Sequence, residues 1–206
     1  MLWKQGYTIS DEISLSDKDL HWPDGNRCCV SITVNLSVAR SPEGIRASDL
    51  QTADAFFALN DGLDQVLSLL HRHRFKATFV VPAVLADIRP GLLRDLVAQG
   101  HEIAAGGFRH EDVSHLPRDE AAARIAAATD ILTRVTGQRP EGWYSLPRPT
   151  DAFANGTISP YTMDLLIDAG YTWFGNGLAD DIPHYWVTDF AARRAILTLP
   201  YYYHFD

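Results

Sequence analysis

Short runs rich in β-branched residues alternate along the chain with stretches in which apolar residues recur at helical spacing. Val30 to Val34 predicts a strand, Ala53 to His73 a helix, Ala77 to Val81 a strand and Pro90 to Gln99 a helix. The alternation continues with a strand at Glu102-Ile103-Ala104, an alanine-rich helix from Arg118 to Thr136, a strand at Gly142-Trp143-Tyr144 and a helix from Ser159 to Ala169. Gly100 and Gly170 stand where helices end, and Ser159-Pro160 fits the N-cap and first position of a helix. Strand and helix in strict alternation predict a parallel sheet with helices outside it. After Tyr171 the pattern becomes extended and aromatic, through Ala195 to Leu199 and on to Tyr201-Tyr202-Tyr203-His204.

The segment from Ala39 to Thr52 breaks this rhythm, being rich in Arg, Ser and Asp, and is expected to be a surface loop over the strand ends. The 206 residues, 46% hydrophobic and 21% charged, fit a single domain with an N-terminal arm over residues 1–28. A formal charge of −8 argues against a nucleic-acid or anionic membrane partner. The one dense basic cluster, His71-Arg72-His73-Arg74, falls at a helix C-terminus, where the macrodipole favours cations. Cys28 and Cys29 are adjacent and are the sole cysteines, so no disulfide framework is expected and a reducing cytoplasm fits. Met1 to Leu20 lacks the continuous apolar core of a signal peptide, and no stretch is apolar enough to span a bilayer.

Candidate chemistry gathers in Gly100-His101-Glu102-Ile103-Ala104-Ala105-Gly106-Gly107-Phe108-Arg109-His110-Glu111. With Trp22-Pro23-Asp24-Gly25, Lys76 to Pro82, Gly142-Trp143, Ser159-Pro160, Asp180 to Pro183 and Leu199-Pro200, it resembles the polysaccharide deacetylase family. Within these NodB-homology carbohydrate esterases it is most similar to the branch that includes a bacterial allantoinase. The resemblance implies an α/β fold, an incomplete (β/α) barrel lacking its C-terminal units, with the site at the C-terminal ends of the strands. It also implies amide hydrolysis, in which an Asp–His–His-bound divalent ion such as zinc activates water and a carboxylate acts as base.

The ligands for that ion are incomplete here. Asn35 stands at the base position, Leu36 or Ser37 at the metal carboxylate, and Gly106 and His110 at the histidine pair. About three protein ligands are needed for a catalytic zinc, and one is present, so no cofactor is expected. A metal relocated to His110, His184 and His204 is permitted by sequence separation but not recommended by spacing. Tyr144 occupies the family's arginine position, and Arg148 is the candidate to fill that space.

The catalytic candidates are therefore His110 as general base or oxyanion donor, with Asn35 and Arg148 on the carbonyl. His110 is equally readable as a leftover histidine satisfied by its neighbours. Trp143, Tyr144, Asp181, His184 and Trp186 are the substrate-binding candidates, the alternative for Asp180-Asp181 being an ordinary turn before an edge strand. His101 and Glu102 suggest backbone bonding rather than catalysis. Two functions follow. One is a hydrolase of carbon–nitrogen bonds acting on a small amide, ureide or cyclic imide without the full metal site. The other is an inactive subunit completing or regulating an active relative, with the aromatic C-terminal stretch forming an interface in a homo-oligomer or with a companion chain.

Overall fold

Among the described residues seven strands form one sheet, and in β2, β3 and β5 at its centre the alternate side chains on both faces are largely buried. The computed structural model describes residues 23–26, 28–147, 156–177 and 183–201. By their contacts they divide at Ser31 into a short N-terminal unit and a unit from Ile32 onward. The first contributes a 3₁₀ turn at Pro23–Gly25 in which Asp24 is left-handed.

The larger unit runs β1 (Thr33–Asn35), α1 (Ala53–Ala58), α2 (Asp61–His73), β2 (Thr78–Val81), α3 (Ala83–Ile88), α4 (Pro90–Ala98) and β3 (Glu102–Ala105). It continues with α5 (Arg118–Thr136), β4 (Gly142–Trp143), α6 (Thr162–Asp168), β5 (Trp173–Gly177), β6 (His184–Asp189) and β7 (Arg194–Pro200). The strand order is β1-β2-β3-β4-β5-β7-β6. Every pairing is parallel except that of β6 with β7. The expected incomplete (β/α) barrel is the architecture observed.

Alternation divides the core. Phe79, Val81, Ile103, Ala105, Trp143, Phe174 and Ile196 face the helices and meet Leu93, Leu96, Leu132 and Leu166. Val80, Ala104, Tyr144 and Trp173 face the other way and form a smaller inner cluster. The Tyr144 hydroxyl lies 3.1 Å from Thr33 Oγ1 on β1. Three strand spacings in a flat sheet would separate β4 from β1 by about 14 Å, so this bond requires the sheet to coil. Glycine admits the rings inside: a Cβ on Gly142 would stand 1.9 Å from the Trp173 ring, and one on Gly175 2.1 Å from the Tyr144 ring.

Several expected boundaries move. The helix expected over Ala53 to His73 breaks at Leu59-Asn60, where Arg89 Nη1 donates to Leu59 O at 2.7 Å and to Asn60 Oδ1 at 3.0 Å. Helix α6 starts at Thr162 rather than Pro160, because Ser159 and Thr162 bond to one another ahead of it. Residues 39–52 form an irregular segment in which Ile45 and Asp49 are buried. It is pinned where Ile45 N donates to Arg109 O at 2.8 Å and Asp112 N to Pro42 O at 2.7 Å. Among the described residues no helix is long and apolar enough to cross a membrane.

Candidate functional site

Parallel strands place their C-terminal ends, and the loops that follow them, along one rim of the sheet. At β1, Asn35 Oδ1 accepts the Ser37 amide at 3.0 Å and Ser37 Oγ accepts the Ala39 amide at 3.2 Å. Both side chains thus cap the local turn, the structural role that short polar residues commonly take.

At β3, the loop leaves the strand through Gly106 and Gly107. A Cβ on Gly106 would meet Val80 Cγ1 at 3.0 Å, Pro82 N at 3.2 Å and Val81 C at 3.3 Å. The end of β2 therefore closes over the position where the family resemblance expects a histidine. Four residues on, His110 is 2% exposed and adopts a left-handed φ of 60°. Among the described residues neither ring nitrogen has a partner at hydrogen-bond geometry, although the Ser145 backbone is close enough to favour the charged ring. Burial pushes its pKa down to about 4, opposed by the Ser145 backbone and the Glu111 carboxylate, so the ring is neutral at pH 7.

Beside it, past the short β4–β5 ladder, a side chain continues the join between the two segments. Asn176 Oδ1 accepts the Ser145 amide at 2.6 Å and its Nδ2 donates to Ser145 O at 3.1 Å. Thr157 and Thr198, also buried, have hydroxyls without partners among the described residues. Glu111, next to His110, has its carboxylate committed to Arg124 at 3.0 Å.

The candidates are only partly brought together. His110 and Asn35 share the rim, and Tyr144 fills the interior beneath it, its ring 5.3 Å from that of Tyr201 and 5.7 Å from that of Trp173. Trp143 lies in the helix-facing core and donates to Ser145 Oγ at 3.3 Å. His184 opens β6 opposite Thr198, and Trp186 packs against the helix-facing core. Arg148, Asp181 and His204 lie outside the described residues. Ser145 and Asn176 were not singled out in the sequence; the Gly175-Asn176-Gly177 bracket, which lets an asparagine approach a neighbouring backbone, was the available signal.

The donors present do not fit the divalent ion that the resemblance implies. Among the described residues no three His, Cys, Asp or Glu side chains converge. Asn35 and Ser37 spend their acceptors on backbone amides, and Gly106 offers none.

Residues 50–173 match the family model for polysaccharide deacetylase. The chain is 41% identical over 68 residues to a chitooligosaccharide deacetylase of Sinorhizobium fredii, covering 33% of this chain and 32% of that protein. A probable polysaccharide deacetylase of Pseudomonas aeruginosa superposes with a TM-score of 0.73 at 25% identity, over 88% of this chain and 64% of that one. An allantoinase superposes with a TM-score of 0.72 at 23% identity over the same shares. The chain spans about a third of the length of that curated relative and just under two thirds of these solved structures.

Proposed function

The chain belongs to the polysaccharide deacetylase family, and from that membership we propose that it hydrolyses carbon–nitrogen bonds other than peptide bonds in a small amide, ureide or cyclic imide. The observation that carries the reading is His110: a buried imidazole with neither nitrogen at hydrogen-bond geometry to any described residue, held at a positive φ. An unsatisfied buried polar group and a strained backbone each cost stability, and such costs concentrate at functional sites. A neutral ring has the protonation state a general base needs.

In this reading His110 takes a proton from water as the water oxygen attacks the carbonyl carbon. It then returns that proton to the leaving nitrogen as the carbon–nitrogen bond breaks. Asn35, its Oδ1 held by Ser37, donates from Nδ2 to the carbonyl oxygen, and Arg148 shares that charge. Tyr144, Trp173 and Tyr201 supply an aromatic floor. No step passes through a metal.

A second reading, an inactive subunit that completes or regulates an active relative, is favoured by the closure of β2 over Gly106. One experiment separates them. The purified chain and His110→Gln are assayed on a panel of amides, ureides and cyclic imides, with native mass spectra of both. Turnover that falls at least about 100-fold in a folded His110→Gln supports the hydrolase. Turnover that His110→Gln leaves unchanged removes His110 from catalysis. An inert wild type carrying a stoichiometric second chain establishes the alternative.

A further inference from the structure

Among the described residues no partner meets the His110 ring at hydrogen-bond geometry, and three elements grip the turn that carries it. At the start of α3, Ala83 N donates to Gly107 O and Val84 N to Phe108 O, each at 3.0 Å. From the 39–52 segment, Ile45 N donates to Arg109 O at 2.8 Å, and Gly44 packs so closely that a Cβ there would stand 2.6 Å from the same oxygen. From α5 comes a charge. Arg124 Nη1 lies 3.0 Å from Glu111 Oε1, while Glu111 Oε2 accepts the Arg109 amide at 2.6 Å.

Glu111 follows His110 directly and its side chain is 3% exposed. Both of its oxygens are engaged, which leaves the carboxylate no part in taking a proton or holding an ion. A buried carboxylate is tolerable only with close pairing and full hydrogen bonding, and this one has both. Its two bonds span the His110 peptide, from the Arg109 amide on one side to a helix on the other. The Arg124 guanidinium is itself braced by Glu120 at 2.6 Å.

We propose that Glu111 and Arg124 are positioning residues for His110, clamping its left-handed turn so that the imidazole is held in place at the strand ends. This rests on His110 being the working group of the hydrolase reading. Arg124 is 36% exposed at its side chain, so replacing it leaves the core intact.

The test reads the His110 ring directly, in the full chain with ring-15N histidine, its signals identified by their loss in His110→Gln. In the wild type the ring N–H exchanges slowly with water. Arg124→Leu speeds that exchange at least about tenfold, because the released turn opens the ring to solvent. Arg124→Lys, which restores a cation to Glu111, brings it back toward the wild-type rate. Arg134→Leu removes an exposed ion pair with Asp87 from the same helix and leaves the exchange unchanged. If Arg124→Leu does not fold, Glu111→Gln with Arg124→Met removes both charges and carries the same expectation. Wild-type exchange in a folded Arg124→Leu overturns the clamp, as does an equal acceleration in Arg134→Leu. Absence of turnover in the wild type counts against the hydrolase reading alone, since ring exchange is measured without substrate.

Discussion

His101 enters β3 and His110 follows its exit, so one short strand carries a buried histidine at each end, 6% and 2% exposed. Burial lowers the pKa of both, with the Lys76 ammonium adding to the effect at His101. Their bonding differs completely. His101 Nδ1 accepts the Ala77 amide at 3.2 Å, which fixes the ring as its Nε2–H tautomer, and the ring packs edge-on against Phe79 at 5.1 Å. His110 has no partner at hydrogen-bond geometry among the described residues and sits at a positive φ. Burial and a lowered pKa therefore do not identify a working histidine. What sets His110 apart is unspent hydrogen-bonding capacity on the strand ends that face the loops.

The sharpest way to break this contrast is to remove each ring in turn. His110→Gln is expected to lower turnover by about 10²- to 10⁴-fold, the usual worth of a general base, while His101→Gln leaves kcat within about twofold. Equal losses in both would make the two ends equivalent and sink the distinction.

Acid provides the next test. His110 titrates at about 4 folded against 6.5 unfolded, so below pH 6.5 the unfolded chain binds the extra proton. Its contribution is complete above pH 6.5 and is lost as pH falls toward 4, an amount of about 3 kcal/mol. His101 moves the same way. Denaturant melts of the wild type and His110→Gln at pH 7 and pH 4 should diverge, with the variant losing less stability on acidification. Parallel losses would show that the ring is not held neutral by the fold.

The two ends were also unequally legible in the sequence. The backbone-bonding role of His101 follows from its place in a turn entering a strand, and the Ala77 bond bears it out. Helix α5 was readable to the residue, because Gly137 at φ 74° terminates an alanine-rich run. The break at Leu59-Asn60 was not, since it depends on Arg89, some thirty residues away. At the rim, the missing donors at Ser37 and Gly106 were visible as letters. That Asn35 is spent on a turn, that Asn176 bonds the Ser145 backbone and that β2 closes over Gly106 are tertiary facts. Charge and hydrogen-bond chemistry can be read from residue types, whereas the pairing that consumes them cannot.

Removing the acceptor at the lower end has a smaller effect. His101→Leu keeps an apolar body but leaves the Ala77 amide buried and unpaired, at a cost of about 2 kcal/mol. Thermal melts should show it with turnover unchanged. A variant as stable as wild type would mean that the bond contributes nothing net.

The smallest effects come from the glycines that flank the strand, and they separate strain from crowding. Gly100 has a φ of 80°, and a Cβ there would meet only the Lys76 chain, nearest at Nζ, 3.2 Å away, which can swing aside. Gly100→Ala therefore costs about 1 kcal/mol through its backbone. Gly106 needs no left-handed φ, but its Cβ would press on Val80 and on the Val81–Pro82 backbone at 3.0 to 3.3 Å. Gly106→Ala costs a similar amount through packing. Truncating the neighbour distinguishes the two. Val80→Ala should couple favourably with Gly106→Ala by about 0.5 kcal/mol, whereas Lys76→Ala should show no coupling with Gly100→Ala. Additivity at Gly106 would mean that β2 does not close that position, and a histidine could then be accommodated there without moving the strand.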